Sequence, residues 1–226
     1  MIASEVAWHD VECHGYTADL PLWLALAERE SGPVLDVGAG TGRVAQVLAD
    51  AGHDVTALDL AATLLAALAE RCPDVRIVQA DAGAFELRGF GLIVVPMQTV
   101  QILDDRAAFF ACARRALSPG GLLAAAIADE LVSFEGERLP EPDVGEWDGR
   151  RFVSQPIAVQ VDHERARIER LRTVDGVTKA DTIELAVLDP AGLAAEGRAA
   201  GLTPVPGERI PATDEHVGSS VVMFRC

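Results

Sequence analysis

The sequence predicts an α/β protein: a mixed sheet covered by helices on both faces, with a small antiparallel β-meander inserted late in the chain. Three observations carry this expectation. Short apolar runs alternate with amphipathic runs between residues 33 and 128, the pattern of strands joined by crossover helices. The first apolar run ends in a glycine-rich turn, Gly38-Ala39-Gly40-Thr41-Gly42. Farther on, three β-rich runs at 151–161, 165–174 and 181–188 follow one another with only turns between them.

In chain order, residues 18–30 carry Leu20, Leu22, Trp23, Leu24, Leu26 and Ala27 behind Pro21, which suits an amphipathic helix with proline in its first turn. Residues 33–37 read as a buried strand, and 42–51 as the helix after it, closed by Gly52. The second strand runs over 53–58 to Asp59, and an alanine- and leucine-rich helix over 61–71 stops at Pro73. Val75 to Gln79 is the third strand and Phe90 to Val95 the fourth, halted by Pro96. A helix from Arg106 to Leu117 leads through a turn, Ser118-Pro119-Gly120-Gly121, into a fifth strand over 122–128. Residues 129–150 hold eight acidic and two basic residues with Gly136, Pro140, Pro142, Gly145 and Gly149, the composition of a loop or lid. In the meander, Asp175-Gly176 is a hairpin signal. A helix over 190–200, capped by Gly201, and strands at 203–206 and 219–225 complete the chain.

Composition narrows the function. The 226 residues suit one large α/β domain with an insertion, and half are apolar, enough for a real core. A net charge of −16 argues against a nucleic-acid partner, because phosphate backbones call for a basic surface. No apolar run reaches membrane-spanning length, and Met1 to Asp10 lacks the form of a signal peptide. Cys13, Cys72, Cys112 and Cys226 are scattered with no C-x-x-C pair, as expected of reduced, cytoplasmic thiols, and no metal-ligand cluster is visible.

The glycine turn carries the chemistry. Glycines at 38, 40 and 42 let the backbone take positive φ and come close to a ligand, and the helix after them offers free N–H groups. The spacing is G-x-G-x-G; the dinucleotide pattern needs glycine at position 43, which is arginine. Asp36, just before the turn, can accept hydrogen bonds from an ammonium group. Asp59, at the end of the second strand, is placed to accept from two ribose hydroxyls.

With its lead-in, the segment Asp36-Val37-Gly38-Ala39-Gly40-Thr41-Gly42 resembles the first motif of the class I S-adenosylmethionine (SAM) dependent methyltransferases. Ser118-Pro119-Gly120-Gly121 is similar to the turn that precedes strand five in that family. The resemblance implies a Rossmann-like seven-stranded mixed sheet. It divides the chain into a SAM-binding core with an N-terminal helical cap (1–128), an acidic loop and β insertion over the active site (129–188), and a C-terminal helix with the last two strands (189–226). It also implies SAM as cofactor and S-adenosylhomocysteine (SAH) as product. The cofactor residues it implies are Tyr16, Asp36, Gly38, Ala39, Gly40, Asp59, Leu60, Asp81, Ala82 and Pro96, with Asp81 and Ala82 on the adenine, Leu60 its apolar neighbour and Tyr16 toward the methionine carboxylate. The exit of the fourth strand, Met97, Gln98, Thr99 and Gln101, should lie beside the methyl donor; together with His216, in the last loop, Gln98 and Thr99 are the candidate catalytic residues. None at the exit is a strong base. The segment Tyr16–Pro21 and the meander look like those of bacterial small-molecule methyltransferases, including sugar N,N-dimethyltransferases. The acceptor is then a small molecule, nitrogen slightly before oxygen, with the insertion as the surface for a homodimer. A SAM-binding or sensing protein without catalysis and an aminopropyltransferase-like enzyme remain alternatives. Arg43 is expected to pair with an acidic neighbour or cap the cofactor end, Trp147 is a candidate pocket residue, and the arginines at 165, 167, 170 and 172 read as solvated or dimer-edge charges.

Overall fold

A computed structural model describes residues 2–135, 139–213 and 216–226. Gly136, read as part of the acidic loop, lies outside the described residues. The N-terminal half contains α1 (Ile2–Cys13), α2 (Leu20–Arg29), β1 (Val34–Val37), α3 (Arg43–Asp50), β2 (Val55–Asp59), α4 (Ala62–Arg71), β3 (Arg76–Gln79), β4 (Phe90–Val95), α5 (Thr99–Ile102) and α6 (Arg106–Ala116). Then follow β5 (Leu117–Ile127), β6 (Phe134–Glu135), β7 (Asp143–Trp147), β8 (Arg150–Val161), β9 (Arg165–Val174), β10 (Val177–Ala186), α7 (Pro190–Ala199), β11 (Thr203–Ile210) and β12 (Ser219–Arg225).

The expected seven-stranded mixed sheet is present, in the order β11-β12-β5-β4-β1-β2-β3. β1 pairs in parallel with β2 and β4, while β12 runs antiparallel to β5 and β11. Side-chain alternation divides the core in two. Leu92 and Val94 of β4, with Leu122, Ala124 and Ala126 of β5, face Trp23, Leu48 and Leu68 from α2, α3 and α4. Ile93, Val95, Leu123, Ala125 and Ile127 face Phe109, Phe110 and Leu193 from α6 and α7. Both faces are thus covered, which is why these strands read as continuous apolar runs rather than alternating ones. Two helix starts are fixed by carboxylates: Asp105 accepts from Ala108 N at 2.9 Å and Asp189 from Gly192 N at 2.8 Å.

Five elements differ from the sequence expectation. α1 was not anticipated, because its apolar positions make no clean stripe. The turn over 118–121 belongs to β5, which begins at Leu117, since Gly120 and Gly121 exchange backbone hydrogen bonds with Cys226. The acidic stretch 129–150 is not wholly loop: β6 and β7 both pair with β8, making a five-stranded antiparallel sheet with β9 and β10. The short α5 turns the exit of β4 back across the sheet edge.

The charges of β9 also differ from expectation. Arg170 and Arg172 are not solvated: both pair with Glu12 of α1 and Asp181 of β10, at 2.6 to 2.9 Å. Glu12 is nearly buried and also accepts from Ser154 at 2.8 Å, so α1 is riveted to the second sheet. Among the described residues no helix is long and apolar enough to cross a membrane.

Candidate active site

β1, β2 and β3 end at one edge of the parallel sheet, and the turn after β1 lies against the tip of β2: Gly38 N and Ala39 N both donate to Leu58 O, at 2.8 and 3.1 Å. Gly38, Gly40 and Gly42 take φ of +75°, +54° and +98°, the left-handed region that glycine enters without a steric penalty. Their bare faces meet different neighbours. A Cβ on Gly38 would overlap Thr99, one on Gly40 would overlap His9, and one on Gly42 would overlap Leu68. At Gly42 the missing side chain also lets Leu68 of α4 pack against the start of α3.

Asp36 is the most informative side chain here. It is fully buried, and neither carboxylate oxygen completes a hydrogen bond. Burial pushes its carboxyl up to about 7, against the pull of the nearby Arg43 guanidinium and of the Ala45 backbone N–H, which lies beside it without completing a hydrogen bond. An orphaned buried carboxylate costs free energy unless something cationic or proton-donating meets it. Asp59, at the tip of β2, is better supplied: it accepts from Gly40 N at 2.8 Å and Ala61 N at 2.9 Å. A carboxylate has about four lone-pair positions, so acceptor capacity remains at Asp59.

The tip of β3 is tied to that of β2. Ala80 N donates to Asp59 O at 3.1 Å, and Gln79 Nε2 to Leu60 O at 3.2 Å. Leu60 is 66% exposed, an apolar side chain held out beside the rim. Asp81 is exposed and accepts from Gly83 N at 2.7 Å, which shapes the turn containing Ala82.

At the exit of β4, Pro96 is buried and Met97 has φ +54°, a strained conformation for a non-glycine residue. The chain then enters α5, which sets Thr99 against Gly38; Gln98 is half-buried beside it. Gln101 is corrected from exit-loop candidate to structural clamp. It is buried, accepts from Ala128 N at 2.7 Å and donates to Ala186 O at 2.9 Å, joining the end of β5 to the end of β10.

Tyr16 and His216 meet edge to face with centroids 4.9 Å apart. Tyr16 is buried, its hydroxyl completes no hydrogen bond, and Ser219 is the polar side chain beside it. Arg43 lies over the same ring at 5.3 Å and forms a bidentate ion pair with Asp19 at 2.6 and 2.7 Å. Trp147 stands apart with Arg71, 5.4 Å from its ring, in a cleft between α1 and β7. The sequence assigns no role to His9, Asp19 or Thr41; only their meeting around the turn does.

The methyltransferase-domain family model matches residues 34–121, the stretch that contains all three strand tips and the glycine turn. Residues 34–121 are those of a methyltransferase domain. A demethylmenaquinone methyltransferase from Renibacterium salmoninarum is 36% identical to this chain over 95 residues. That match covers 41% of this chain and 40% of the relative. The fold around the methyltransferase domain is shared more widely. A SAM-bound amino pentose methyltransferase from Micromonospora echinaspora superposes with a TM-score of 0.73 at 21% identity, covering 97% of each chain. A glycopeptide N-methyltransferase complexed with SAM gives a TM-score of 0.64 at 25% identity, covering 92% of this chain and 94% of that one. In this methyltransferase domain the residues suit the cofactor: an unpartnered buried carboxylate, a positive-φ glycine turn and a second carboxylate with spare acceptor capacity lie along one rim.

Proposed function

We propose that this chain transfers a methyl group from SAM to a small-molecule acceptor, nitrogen in preference to oxygen. The observation that carries the reading is Asp36, buried at the tip of β1 with both oxygens unpartnered beside the glycine turn. An ammonium group arriving there is the partner this carboxylate lacks. On this reading Asp59 accepts from the ribose hydroxyls, Asp81 and the Ala82 backbone meet the adenine, Leu60 flanks the ring, and Gly38, Ala39, Gly40 and Pro96 line the cofactor. Tyr16 closes the amino-acid end.

SAM, when bound, supplies a methyl group that already carries its leaving group. What this chain adds is placement. Gln98 and Thr99 orient the acceptor at the exit of β4, and His216 reaches it from the last loop. Alignment of this kind lowers a barrier by roughly 7–11 kcal/mol. The preference for nitrogen rests on the weakly basic exit of β4, since an amine attacks once it is neutral, whereas a hydroxyl calls for a base or a metal. The amino pentose and glycopeptide enzymes of similar fold are in keeping with it. Residues 1–128 and 189–226 make the core, and 129–188 the cover of the acceptor side and the surface for a homodimer. The cytoplasm is the proposed compartment.

Isothermal titration with SAM and SAH tests the reading, followed by a methyl-transfer screen of amino sugars, amines and phenols. The wild type should bind both ligands, and Asp59→Ala should weaken both at least tenfold. A folded Asp59→Ala variant with unchanged affinity would remove the ribose assignment. Tight SAM binding with no transfer to any acceptor would favour a sensing role.

A further inference from the structure

Thr41 Oγ1 has one proton, and its neighbours decide where that proton goes. The hydroxyl donates to Asp10 Oδ1 at 2.7 Å, and Asp10 is held by Arg71 at 2.6 and 3.0 Å. Two imidazole nitrogens approach the same oxygen, His9 Nδ1 at 3.1 Å and His14 Nε2 at 3.0 Å. With its proton committed to Asp10, the oxygen can only accept, so both nitrogens carry hydrogen. Neutral His9 is therefore the Nδ1–H tautomer, and its Nε2 is a bare acceptor. Burial favours this neutral form, lowering the pKa of His9 against Asp10, Glu12 and Asp59, with His14 adding to the lowering.

The bare nitrogen faces the glycine turn. A Cβ on Gly40 would overlap His9 Nε2, and the N–H of that same glycine is held by Asp59 at 2.8 Å. Among the described residues Nε2 makes no hydrogen bond. The glycine at position 40 thus admits an imidazole to the rim, next to a carboxylate whose two oxygens already accept from the backbone.

We infer that His9 is a cofactor-binding residue whose Nε2 accepts a hydrogen bond from a donor of the bound molecule, a ribose hydroxyl or the ammonium group. The inference rests on the reading of this rim as the SAM site. Thr41, Asp10 and Arg71 act through His9: they fix its tautomer and carry no contact to the ligand.

Two variants separate binding from structure. His9→Asn places an amide where Nδ1 lies and keeps the bond to Thr41, but leaves no acceptor at the Nε2 position. His9→Gln places an amide at Nε2. Calorimetry with SAH should show at least a tenfold loss for His9→Asn with an unchanged thermal unfolding midpoint, and recovery of most of that loss for His9→Gln. In the wild type, the ¹⁵N resonance of a bare Nε2 should shift when SAH is added. Repeating the titrations with 5′-methylthioadenosine, which keeps the ribose and lacks the amino-acid tail, identifies the donor: a parallel loss means a ribose hydroxyl, a loss with SAH alone means the ammonium group. Equal or tighter binding by His9→Asn, or an unmoved Nε2 resonance, overturns the inference and leaves His9 as a packing residue against Gly40. A wild type that binds no SAH overturns the SAM reading of the rim, and this inference with it.

Discussion

Arg43 and Asp19 form a buried bidentate ion pair, with N–O distances of 2.6 and 2.7 Å and side chains 7% and 0% exposed. Asp19 also accepts from Trp23 Nε1 at 2.8 Å, and Arg43 donates to Tyr16 O at 2.7 Å. The pair fastens the segment before α2 to the first turn of α3, directly behind the glycine turn. Removing one partner strands the other charge away from water, which costs about 3–5 kcal/mol. Asp19→Ala should therefore lower stability by that amount in urea unfolding. Asp19→Ala combined with Arg43→Met should recover a large part of it, because neither member of the pair is then left as a lone buried charge.

Asp36 makes the free protein sensitive to pH. Its folded-state value of about 7 lies well above the ordinary carboxylate value of 3.8. The sign follows from linkage: a group raised on folding contributes fully below its unfolded value and loses that contribution as pH rises through its folded value. Asp36→Asn, which does not ionise, should be more stable than the wild type at pH 8, with a gap on the order of a few kcal/mol that narrows toward pH 5. SAH affinity should move the other way. It should fall in the wild type as pH drops below about 7, and be weak and flatter with pH in Asp36→Asn. Thermal unfolding and calorimetry at matched pH check both.

Gln101 is the bolt between the core and the second sheet. Gln101→Ala would leave the buried Ala128 N–H and the Ala186 carbonyl without their partner, at about 1–3 kcal/mol for each stranded group. Hydrogen exchange should quicken at Ala128 and along β10 while β1 and β4 keep their protection.

Glu12 joins α1 to Arg170, Arg172 and Ser154. In Glu12→Ala, Arg170 and Arg172 keep Asp181, and Trp8 keeps its ring contacts with Phe152 and Arg172, so the hold of α1 on the second sheet should weaken. The expected cost is about 1–3 kcal/mol, read in urea unfolding, with faster amide exchange confined to α1, β8 and β9.

The sheet, the glycine turn and the three carboxylates at successive strand tips were all legible along the chain. Those features are local: a strand buried on both faces must be apolar along its length, and a left-handed turn calls for glycine wherever it occurs. The Asp175-Gly176 hairpin was legible for the same reason, with Asp175 and Gly176 both at positive φ. The features that were not legible depend on residues far apart in the chain. Gln101 looked like a site residue until Ala128 and Ala186 closed around it, and Arg172 looked solvated until Glu12, 160 positions away, arrived beside it. His9 gave no signal at all. An imidazole acquires a tautomer and a direction from the groups it meets, and Thr41, Asp10, Arg71 and Gly40 come together only when α1 folds across the turn.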